Sequence, residues 1–472
     1  MYNTLTGREE EFKPIESGKV KIYTCGPTVY DYAHIGNFRT FVLQDVLRRW
    51  LKYKGYEVYQ VMNLTDVDDK TIRGARETGL SLKEYTAKYT EAFFEDADKL
   101  GIERVEVYPK ATEHIQEMVE LVKKLMDKGF AYRGEDGSVY FDISKFREYG
   151  QLSKVKLRLL KAKGRIKADQ YSKEEAEDFA LWKAWDEEDG DVFWETELGK
   201  GRPGWHTECA ALSIKYLGET FDIHAGGVDL MFPHHENEIA QAEAATGRKF
   251  VNYWLHFNHL MVEGRKMSKS LGNFYTLRDL LQRGYHPKAI RYVLLSTHYR
   301  KILDFSLKNL EKASDVVGKL EDFLHRLKEA KGRKEEGERE EAEKLISQCK
   351  ESFEAAMDDD LNVSIALASV FRLVREANRL IDENKLGEKE AEDMEGFLKN
   401  VNRVLNLVEE KPRPEKLPEE LEKLLIKREE ARKNRDWKTA DALREELEKK
   451  GLKIEDTPKG VRWKWKISSP RS

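Results

Sequence analysis

The stretch from Thr24 to Thr40 limits the folds open to this chain more than any other part of the sequence. An apolar run, Val20 to Tyr23, comes before it and predicts a buried strand, and the apolar residues from Phe41 onward recur at helical spacing. The stretch therefore crosses from a strand to a helix, which is where a doubly wound parallel sheet binds its ligand. A helix N-terminus at that place offers free N–H groups and a positive dipole end to an anion.

A short motif inside this stretch, His34-Ile35-Gly36-Asn37, carries groups that suit a phosphate. Gly36 lets a ligand approach the backbone, and the side chains of His34 and Asn37 can donate hydrogen bonds to phosphate oxygens. Four residues recur by chance, and a tight turn with a surface histidine would also explain them. A second motif, Lys266-Met267-Ser268-Lys269-Ser270, follows about 230 residues later and changes that balance.

Taken together and in this order, the two motifs resemble the signature pair of class I aminoacyl-tRNA synthetases, in which both contact ATP. The first motif of that family usually ends in histidine, where this chain has Asn37, which keeps a donor but cannot carry a charge. Two residues elsewhere also suit a nucleotide, since Gly227 permits close approach and Asp229 can accept hydrogen bonds from ribose hydroxyls. The expected ATP site comprises His34, Gly36, Asn37, Gly227, Asp229, Lys266 and Lys269. Its histidine, its asparagine and its two lysines are the predicted catalytic residues.

The composition narrows the class of protein. The chain has 472 residues, enough for two to four domains, and its net charge of −4 argues against a general binder of polyanions. From Glu419 to Ser472, 16 Lys and Arg residues exceed 12 Asp and Glu residues, which mildly favours contact with phosphate. Three cysteines are too few for a disulfide framework, and no apolar run approaches the ~20 residues of a membrane span. We therefore expect a cytoplasmic protein without a membrane partner.

The order of predicted elements gives the fold class. A second strand at Tyr56 to Asn63 completes a β-α-β unit, a hairpin at Phe130 to Ile143 opens an insertion, and the sheet is expected to resume near Gly201. Helical periodicity then covers residues 304–408, and three prolines between Lys411 and Pro418 indicate a linker. We predict an α/β Rossmann-type parallel-sheet catalytic domain with an inserted α+β domain, then an α-helical bundle and a small C-terminal α+β domain. The expected limits are 1–120 and 201–260 for the two halves of the catalytic domain, 121–200 for the inserted domain, 261–305 for the Lys-Met-Ser-Lys-Ser loop with a stem-contact region, 306–410 for the bundle, 411–418 for the linker and 419–472 for the C-terminal domain.

Two cysteines, a histidine and a glutamate lie where predicted strands and helices meet, namely Cys25, Cys209, His234 and Glu238. Thiolate, imidazole and carboxylate groups together suit zinc. The fold must bring three chain segments together to unite them, so spacing alone does not establish a site. Two buried cysteines packed as small apolar residues, with a His–Glu pair on a helix surface, would be the alternative. The third cysteine, Cys349, has no such neighbours and is expected to be structural.

Longer stretches of the sequence narrow the resemblance to one family of synthetases. Residues 25–40, 201–209, 224–241 and 266–273 together are similar to the cysteinyl-tRNA synthetase family, and the similarity extends along nearly the whole chain. In that family a zinc ion at the four matching residues binds the substrate thiolate, which makes His234 the ligand rather than His235. The resemblance implies activation of L-cysteine with ATP and transfer to the 3′ end of tRNA-Cys. It also implies one Zn²⁺ per chain and Mg²⁺ with the ATP, and we expect a monomer.

The resemblance also suggests where the substrates lie. Cys25 and His224, with Thr65 and Trp205 as walls, are the residues expected at the amino-acid pocket. In the C-terminal domain, the residues expected to read the anticodon are Arg432, Trp437, Asp441, Asp456 and Trp463. A solvated charged helix pair with core tryptophans would explain the same C-terminal residues.

Two rival interpretations stay open on the sequence. A cysteine ligase of thiol-cofactor biosynthesis would share the catalytic core as far as Leu307, but it lacks a tRNA-reading terminus. The predicted helical bundle and C-terminal domain of this chain argue against it. An inactive synthetase relative that only binds RNA would not need His34, Lys266 and Lys269, which are all intact.

Overall fold

The elements follow one another as strands and helices in the first half of the chain and as helices in most of the second. The structure is a computed structural model and describes residues 1–154, 165–166, 177–331, 339–409, 417–457 and 460–465. Its helices are α1 (Ile35–Tyr53), α2 (Asp69–Thr78), α3 (Leu82–Leu100), α4 (Ile115–Asp127), α5 (Trp205–Leu217), α6 (Glu236–Thr246), α7 (Leu277–Gln282), α8 (Pro287–Leu295), α9 (Leu307–Lys331), α10 (Arg339–Asp358), α11 (Val363–Asp382), α12 (Glu388–Leu405), α13 (Glu419–Lys433) and α14 (Trp437–Lys449). Its strands are β1 (Tyr2–Asn3), β2 (Arg8–Glu9), β3 (Lys19–Thr24), β4 (Glu57–Met62), β5 (Ala131–Arg133), β6 (Val139–Phe141), β7 (Arg165–Ile166), β8 (Asp178–Ala184), β9 (Trp194–Thr196), β10 (Gly199–Pro203), β11 (Phe221–Gly227), β12 (Val251–Phe257), β13 (Leu260–Val262), β14 (Arg265–Lys266), β15 (Leu303–Phe305), β16 (Leu452–Thr457) and β17 (Gly460–Trp465).

These elements belong to two compact units. The first comprises Met1–Leu277, Thr297–Asp304 and Met357–Asn362, and the second comprises Arg278–Ser296, Phe305–Ala356 and Val363–Ser472. No helix in the described part of the chain is both long enough and apolar enough to cross a membrane.

A parallel sheet in the order β12-β11-β3-β4 forms the centre of the first unit. From β3 the chain passes through α1 to β4 on one side, and it later returns as β11 and β12 on the other. The strand order therefore reverses between β3 and β11, and in open parallel sheets ligands bind beyond the carboxyl ends of the strands at such a point. The predicted Rossmann-type fold is confirmed, and it directs attention to the ends of these two strands.

The inserted segment forms a sheet of its own, in the order β5-β6-β8-β10-β9 with β7 beside β8. The predicted hairpin is present as β5 and β6, and Gly137 adopts the positive φ that its turn needs. The expectation that the parallel sheet resumes near Gly201 was wrong, because β10 pairs with β8 and the parallel sheet resumes at Phe221. A Cβ atom at Gly201 would lie 2.1 Å from the carbonyl oxygen of Lys183, so this glycine serves close strand contact inside the insertion.

One apolar core joins the insertion to the catalytic unit. Trp182 and Phe141 from the inserted sheet, Leu212 from α5 and Trp254 from β12 are buried members of the same cluster. Burial of side chains this large contributes roughly 1.5–3 kcal/mol each. The insertion therefore packs against α5, which carries Cys209.

The second unit is helical and ends in a small α+β region. Helix α9 packs against α8, α11 and α12, and the helix pair α13 and α14 is followed by the antiparallel hairpin β16–β17. Cys349 is buried in α10 with its Sγ atom 3.9 Å from Oγ of Ser369. Residues 411–416 of the predicted linker lie outside the described residues, and the predicted domain limits stay predictions.

Candidate active site and metal centre

The first motif forms the N-terminus of α1, and two of its side chains cap the helix. The N–H of Asn37 donates to Nδ1 of His34 at 3.1 Å, and the N–H of His34 donates to Oδ1 of Asn37 at 3.1 Å. This capping box occupies the acceptor atom of each side chain. The neutral imidazole therefore carries its proton on Nε2, and the asparagine keeps its NH₂ group for donation. Burial lowers the pKa of His34, which favours that neutral form.

The second motif lies against the first. The N–H of Ile35 donates to the carbonyl oxygen of Tyr275 at 3.0 Å, and Nζ of Lys269 lies 2.7 Å from Oδ2 of Asp31. A Cβ atom at Gly36 would lie 3.3 Å from Cε of Met267. The absence of a side chain at Gly36 therefore allows the two loops to approach closely. Lys266 and Lys269 are exposed. Both signature motifs thus meet at the carboxyl end of β3, as the sequence predicts.

Asp229 follows β11 in a short turn and is exposed beside these motifs. Its carboxylate partly offsets the burial that lowers the pKa of His34, and it adds slightly to the burial that raises the pKa of Cys25. A Cβ atom at Gly227 would lie 2.4 Å from Oδ1 of Asp229, so the glycine permits this turn. The predicted nucleotide residues at the start of α1 and at the end of β11 therefore share one edge of the sheet.

The four residues expected to bind zinc lie together in the first unit. Cys25 follows β3, Cys209 is in α5, and His234 and Glu238 lie one helical turn apart around the start of α6. One ligand atom from each of the four is within 4.8 Å of every other, and all four residues are buried. The alternative of two separately packed cysteines and a surface pair does not describe this arrangement.

The contacts within this cluster fit a cation. Nε2 of His234 lies 3.0 Å from Oε1 of Glu238, yet that oxygen receives no hydrogen bond, while Oε2 accepts one from Nε2 of His224 at 2.8 Å. Burial raises the pKa of Cys25 to about 11 and that of Glu238 to about 8, and it lowers the pKa of His234 to about 4. Four electron-pair donors that face one another without a positive charge prefer these neutral forms. A divalent cation would reverse the preference of the thiols, because a thiolate is the form that binds metal.

Three further histidines contact the cluster or one another beside it, and these contacts were not predicted from the sequence. Nδ1 of His206 lies 3.0 Å from Nδ1 of His234, and His235 bridges Sγ of Cys25 at 3.3 Å and Nε2 of His256 at 2.8 Å. When His234 is the donor in its pair with His206, its Nε2 lone pair faces Glu238. Orienting contacts of this kind are usual around metal ligands.

The residues predicted for the amino-acid pocket lie around the same cluster. The ring of Trp205 stacks on His234 with centroids 4.2 Å apart, and His224 donates to Glu238. Thr65 is buried, and its hydroxyl donates to the carboxylate of Glu208 at 2.9 Å. Glu208 is a residue that the sequence analysis missed, although it immediately precedes Cys209.

In the C-terminal region, Asp456 is held by two arginines. Arg428, which is buried, binds both carboxylate oxygens at 3.0 and 2.9 Å, and Arg432 pairs with the same carboxylate. Trp437 and Asp441 are exposed on α14, whereas Trp463 packs against the small apolar core of this region. The structure brings Arg432 and Asp456 together but does not test their role.

Comparisons with known proteins cover almost the whole chain. Residues 11–315 match the catalytic domain of class I (C) tRNA synthetases, residues 352–409 match the DALR domain, and residues 415–463 match the anticodon-binding domain of cysteinyl-tRNA ligase. A cysteine–tRNA ligase from Protochlamydia amoebophila is 48% identical over 447 residues, covering 94% of this chain and 93% of that protein. The chain belongs to the cysteine–tRNA ligase family.

A further relative supports this membership, which confirms the resemblance found in the sequence, and two solved structures share the fold. A cysteine–tRNA ligase from Brachyspira hyodysenteriae is 48% identical over 449 residues, covering 94% of each chain. Methionyl-tRNA synthetase from Mycobacterium tuberculosis, solved in complex with methionyl-adenylate, has a TM-score of 0.62 at 14% identity and covers 82% of this chain and 90% of that chain. A putative arginyl tRNA synthetase from Campylobacter jejuni has a TM-score of 0.56 at 13% identity, with coverage of 83% and 92%. At these identities the two structures show the fold alone.

Replacement of Gly26 by alanine should damage the loop that carries Cys25. A Cβ atom at Gly26 would lie 1.9 Å from the carbonyl oxygen of Asn63, and backbone cannot yield as a flexible side chain does. We expect a loss of about 1–3 kcal/mol in stability, seen as a lower melting temperature by circular dichroism. Gly396→Ala is the control, because it lies in α12 with open space around it and should be neutral or stabilising by up to ~1 kcal/mol. Equal melting temperatures for the two variants would contradict the clash.

Proposed function

We propose that this chain activates L-cysteine with ATP and transfers it to the 3′ end of tRNA-Cys, and that one zinc ion selects the substrate by its thiolate. The observation that carries the proposal is the meeting of two thiols, an imidazole and a carboxylate within 4.8 Å, in a chain of the cysteine–tRNA ligase family. One member of the cluster, Cys25, follows the same strand, β3, that leads into the nucleotide motif.

Of two possible ligand sets, the one made of Cys25, Cys209, His234 and Glu238 is the better candidate. The other set replaces Cys209 and His234 by His224 and His235. It offers one thiolate instead of two, and thiolate is the softer ligand for zinc. A bound zinc ion would supply a Lewis acid that bonds directly to a soft thiolate.

Such a centre answers the main problem of cysteine selection, because serine differs from cysteine by one atom. A pocket of ordinary shape discriminates near-isosteres by only ~1–3 kcal/mol, whereas accurate translation needs roughly 10⁴-fold. A serine hydroxyl stays protonated at neutral pH and is a poor inner-sphere ligand. Discrimination at binding makes a separate editing site unnecessary. Trp205, stacked on His234, holds that ligand in a fixed orientation.

Activation joins the substrate carboxylate to the α-phosphorus of ATP and releases pyrophosphate. Nε2–H of His34 and the NH₂ group of Asn37 are the donors that the capping box directs away from the helix, toward phosphate oxygens. Lys266 and Lys269 neutralise the charge that grows on the pyrophosphate, and Mg²⁺ accompanies the nucleotide. The chain contributes positioning and charge, without a nucleophile of its own.

One preparation of the protein can test this function against both rivals. We expect cysteine-dependent exchange of pyrophosphate into ATP, charging of purified tRNA-Cys, and about one zinc per chain by elemental analysis. Exchange without charging would indicate a cysteine ligase that does not use tRNA. Absence of exchange would indicate an inactive RNA-binding relative, and exchange equally supported by serine would refute selection by the thiolate.

The anticodon proposal gives a separate prediction. Arg432→Ala should lower kcat/KM for tRNA-Cys by about 10- to 100-fold, because loss of one direct contact to a base costs ~1–3 kcal/mol. Cysteine-dependent exchange should stay unchanged, since that reaction needs no tRNA. Lys433→Ala, an exposed neighbour at the end of α13, serves as the control for charge. Equal effects of the two substitutions would assign the loss to general attraction of phosphate.

A further inference from the structure

A buried carboxylate connects the two segments that carry the thiols. Glu208 is 2% exposed and lies in α5, one residue before Cys209. Its Oε1 atom accepts a hydrogen bond from Nδ2 of Asn63 at 2.8 Å, and its carboxylate also accepts from the hydroxyl of Thr65. Asn63 and Thr65 lie just after β4, so Glu208 ties α5 to the neighbouring strand end.

From that strand end, further bonds reach the loop after β3. Oδ1 of Asn63 accepts from the N–H of Gly26, the residue next to Cys25, at 3.0 Å. The backbone of Thr65 bonds on both sides of the same loop, donating to Pro27 at 3.2 Å and accepting from Val29 at 3.1 Å. One continuous path of short contacts therefore runs from the backbone beside Cys209 to the backbone beside Cys25.

We infer that Glu208 is a positioning residue that sets the separation of Cys25 and Cys209 and thereby builds the metal centre. The inference rests on the proposed zinc site. It assigns to Glu208 no contact with substrate or metal, because its carboxylate is already engaged by Asn63 and Thr65. Removal of the carboxylate should loosen one thiol relative to the other, and losses of about 10- to 100-fold in metal affinity are typical when such supporting contacts are removed.

The test measures zinc affinity directly, by competition of the full-length apoprotein with a chromophoric chelator. We expect Glu208→Ala to raise the Kd for zinc by about 10- to 100-fold. Glu208→Gln keeps the shape and an acceptor oxygen for Asn63, so it should stay within about threefold of wild type. Asp222→Ala is the matched control, because Asp222 is equally buried and accepts two backbone hydrogen bonds, from Ile15 and Lys21, at the other end of β11.

Cobalt substitution adds a spectroscopic readout. In Glu208→Ala, the charge-transfer band from thiolate sulfur to Co²⁺ should weaken relative to wild type, because one thiolate no longer reaches the ion. Should that variant fail to fold, Asn63→Ala breaks the same path at its next member and should show the same two changes. Where all variants fold, the combined Glu208→Ala and Asn63→Ala losses should be less than additive.

The outcomes separate this inference from the proposed function. Wild-type protein that takes up no zinc would refute the metal centre itself. Wild-type protein that binds zinc, with Glu208→Ala within threefold of it, would refute the positioning role alone. The role would also be refuted by a Glu208→Gln variant as weak as Glu208→Ala, which would assign the effect to charge. An Asp222→Ala variant with the same loss would refute it too, by assigning the effect to general loosening.

Discussion

Cys209→Ser protein is expected to lose its zinc and to fall at least ~10³-fold in kcat/KM for cysteine in pyrophosphate exchange. A serine hydroxyl is similar in size but stays protonated, so the cluster keeps only one thiolate and its affinity for zinc falls. A factor of ~10³ corresponds to an interaction worth ~4 kcal/mol or more. The loss should be concentrated in cysteine recognition, because the zinc ion is proposed to bind the substrate thiolate. Elemental analysis and exchange kinetics on the same sample measure both effects.

The third cysteine provides the control for this substitution. Cys349 is buried, as Cys209 is, but lies in α10 near Ser369, and among the described residues it belongs to neither group of metal-ligating side chains. Cys349→Ser should keep its zinc and its exchange activity, although burial of a hydroxyl lowers stability by roughly 1–3 kcal/mol. If Cys209→Ser retains a full equivalent of zinc, the proposed centre is wrong.

Lys269→Gln is expected to lower the rate of pyrophosphate exchange by about 10²- to 10³-fold, with a smaller effect on transfer from preformed adenylate. Loss of one group that stabilises developing charge typically costs this much. In the structure Nζ of Lys269 pairs with Asp31, an exposed contact of the kind that contributes only ~0.2–1 kcal/mol. The lysine can therefore exchange this partner for a phosphate at little cost.

Removal of a neighbouring positive charge separates this role from general attraction of ATP. Arg265 precedes Lys266 in β14 and is exposed. Arg265→Gln should change exchange by less than threefold, whereas Lys269→Arg should recover part of the lost rate. Equal losses in Arg265→Gln and Lys269→Gln, measured at saturating ATP, would contradict a specific role for the lysine.

The sequence predicted those features that depend on local pattern. The crossing at residues 24–40 and the paired signature motifs identified the fold class and the family, because a strand followed by an amphipathic helix has a clear periodicity. The choice of His234 over His235 came from the family resemblance. The structure adds that the ligand set with His234 brings two thiols together, whereas the other set contains one.

The features that the sequence did not reveal depend on contacts between distant segments. Asn63 and Glu208 are 145 positions apart, and His206 and His256 reach the cluster from separate elements. The position of β10 was misread because the glycines in it resemble a loop, whereas Gly201 in fact permits close strand contact. No periodicity encodes such pairings, and only the tertiary fold determines them.

The wide separation of Cys25 and Cys209 also bears on folding. About 180 residues, which include the insertion, separate these two cysteines in the sequence. A link between the two ends of so long a segment strongly restricts the unfolded chain, because the entropic cost of closing a loop rises with the length of the loop. An ion bound there would stabilise the fold as well as select the substrate. Zinc starvation would then shorten the lifetime of the folded enzyme and lower its accuracy.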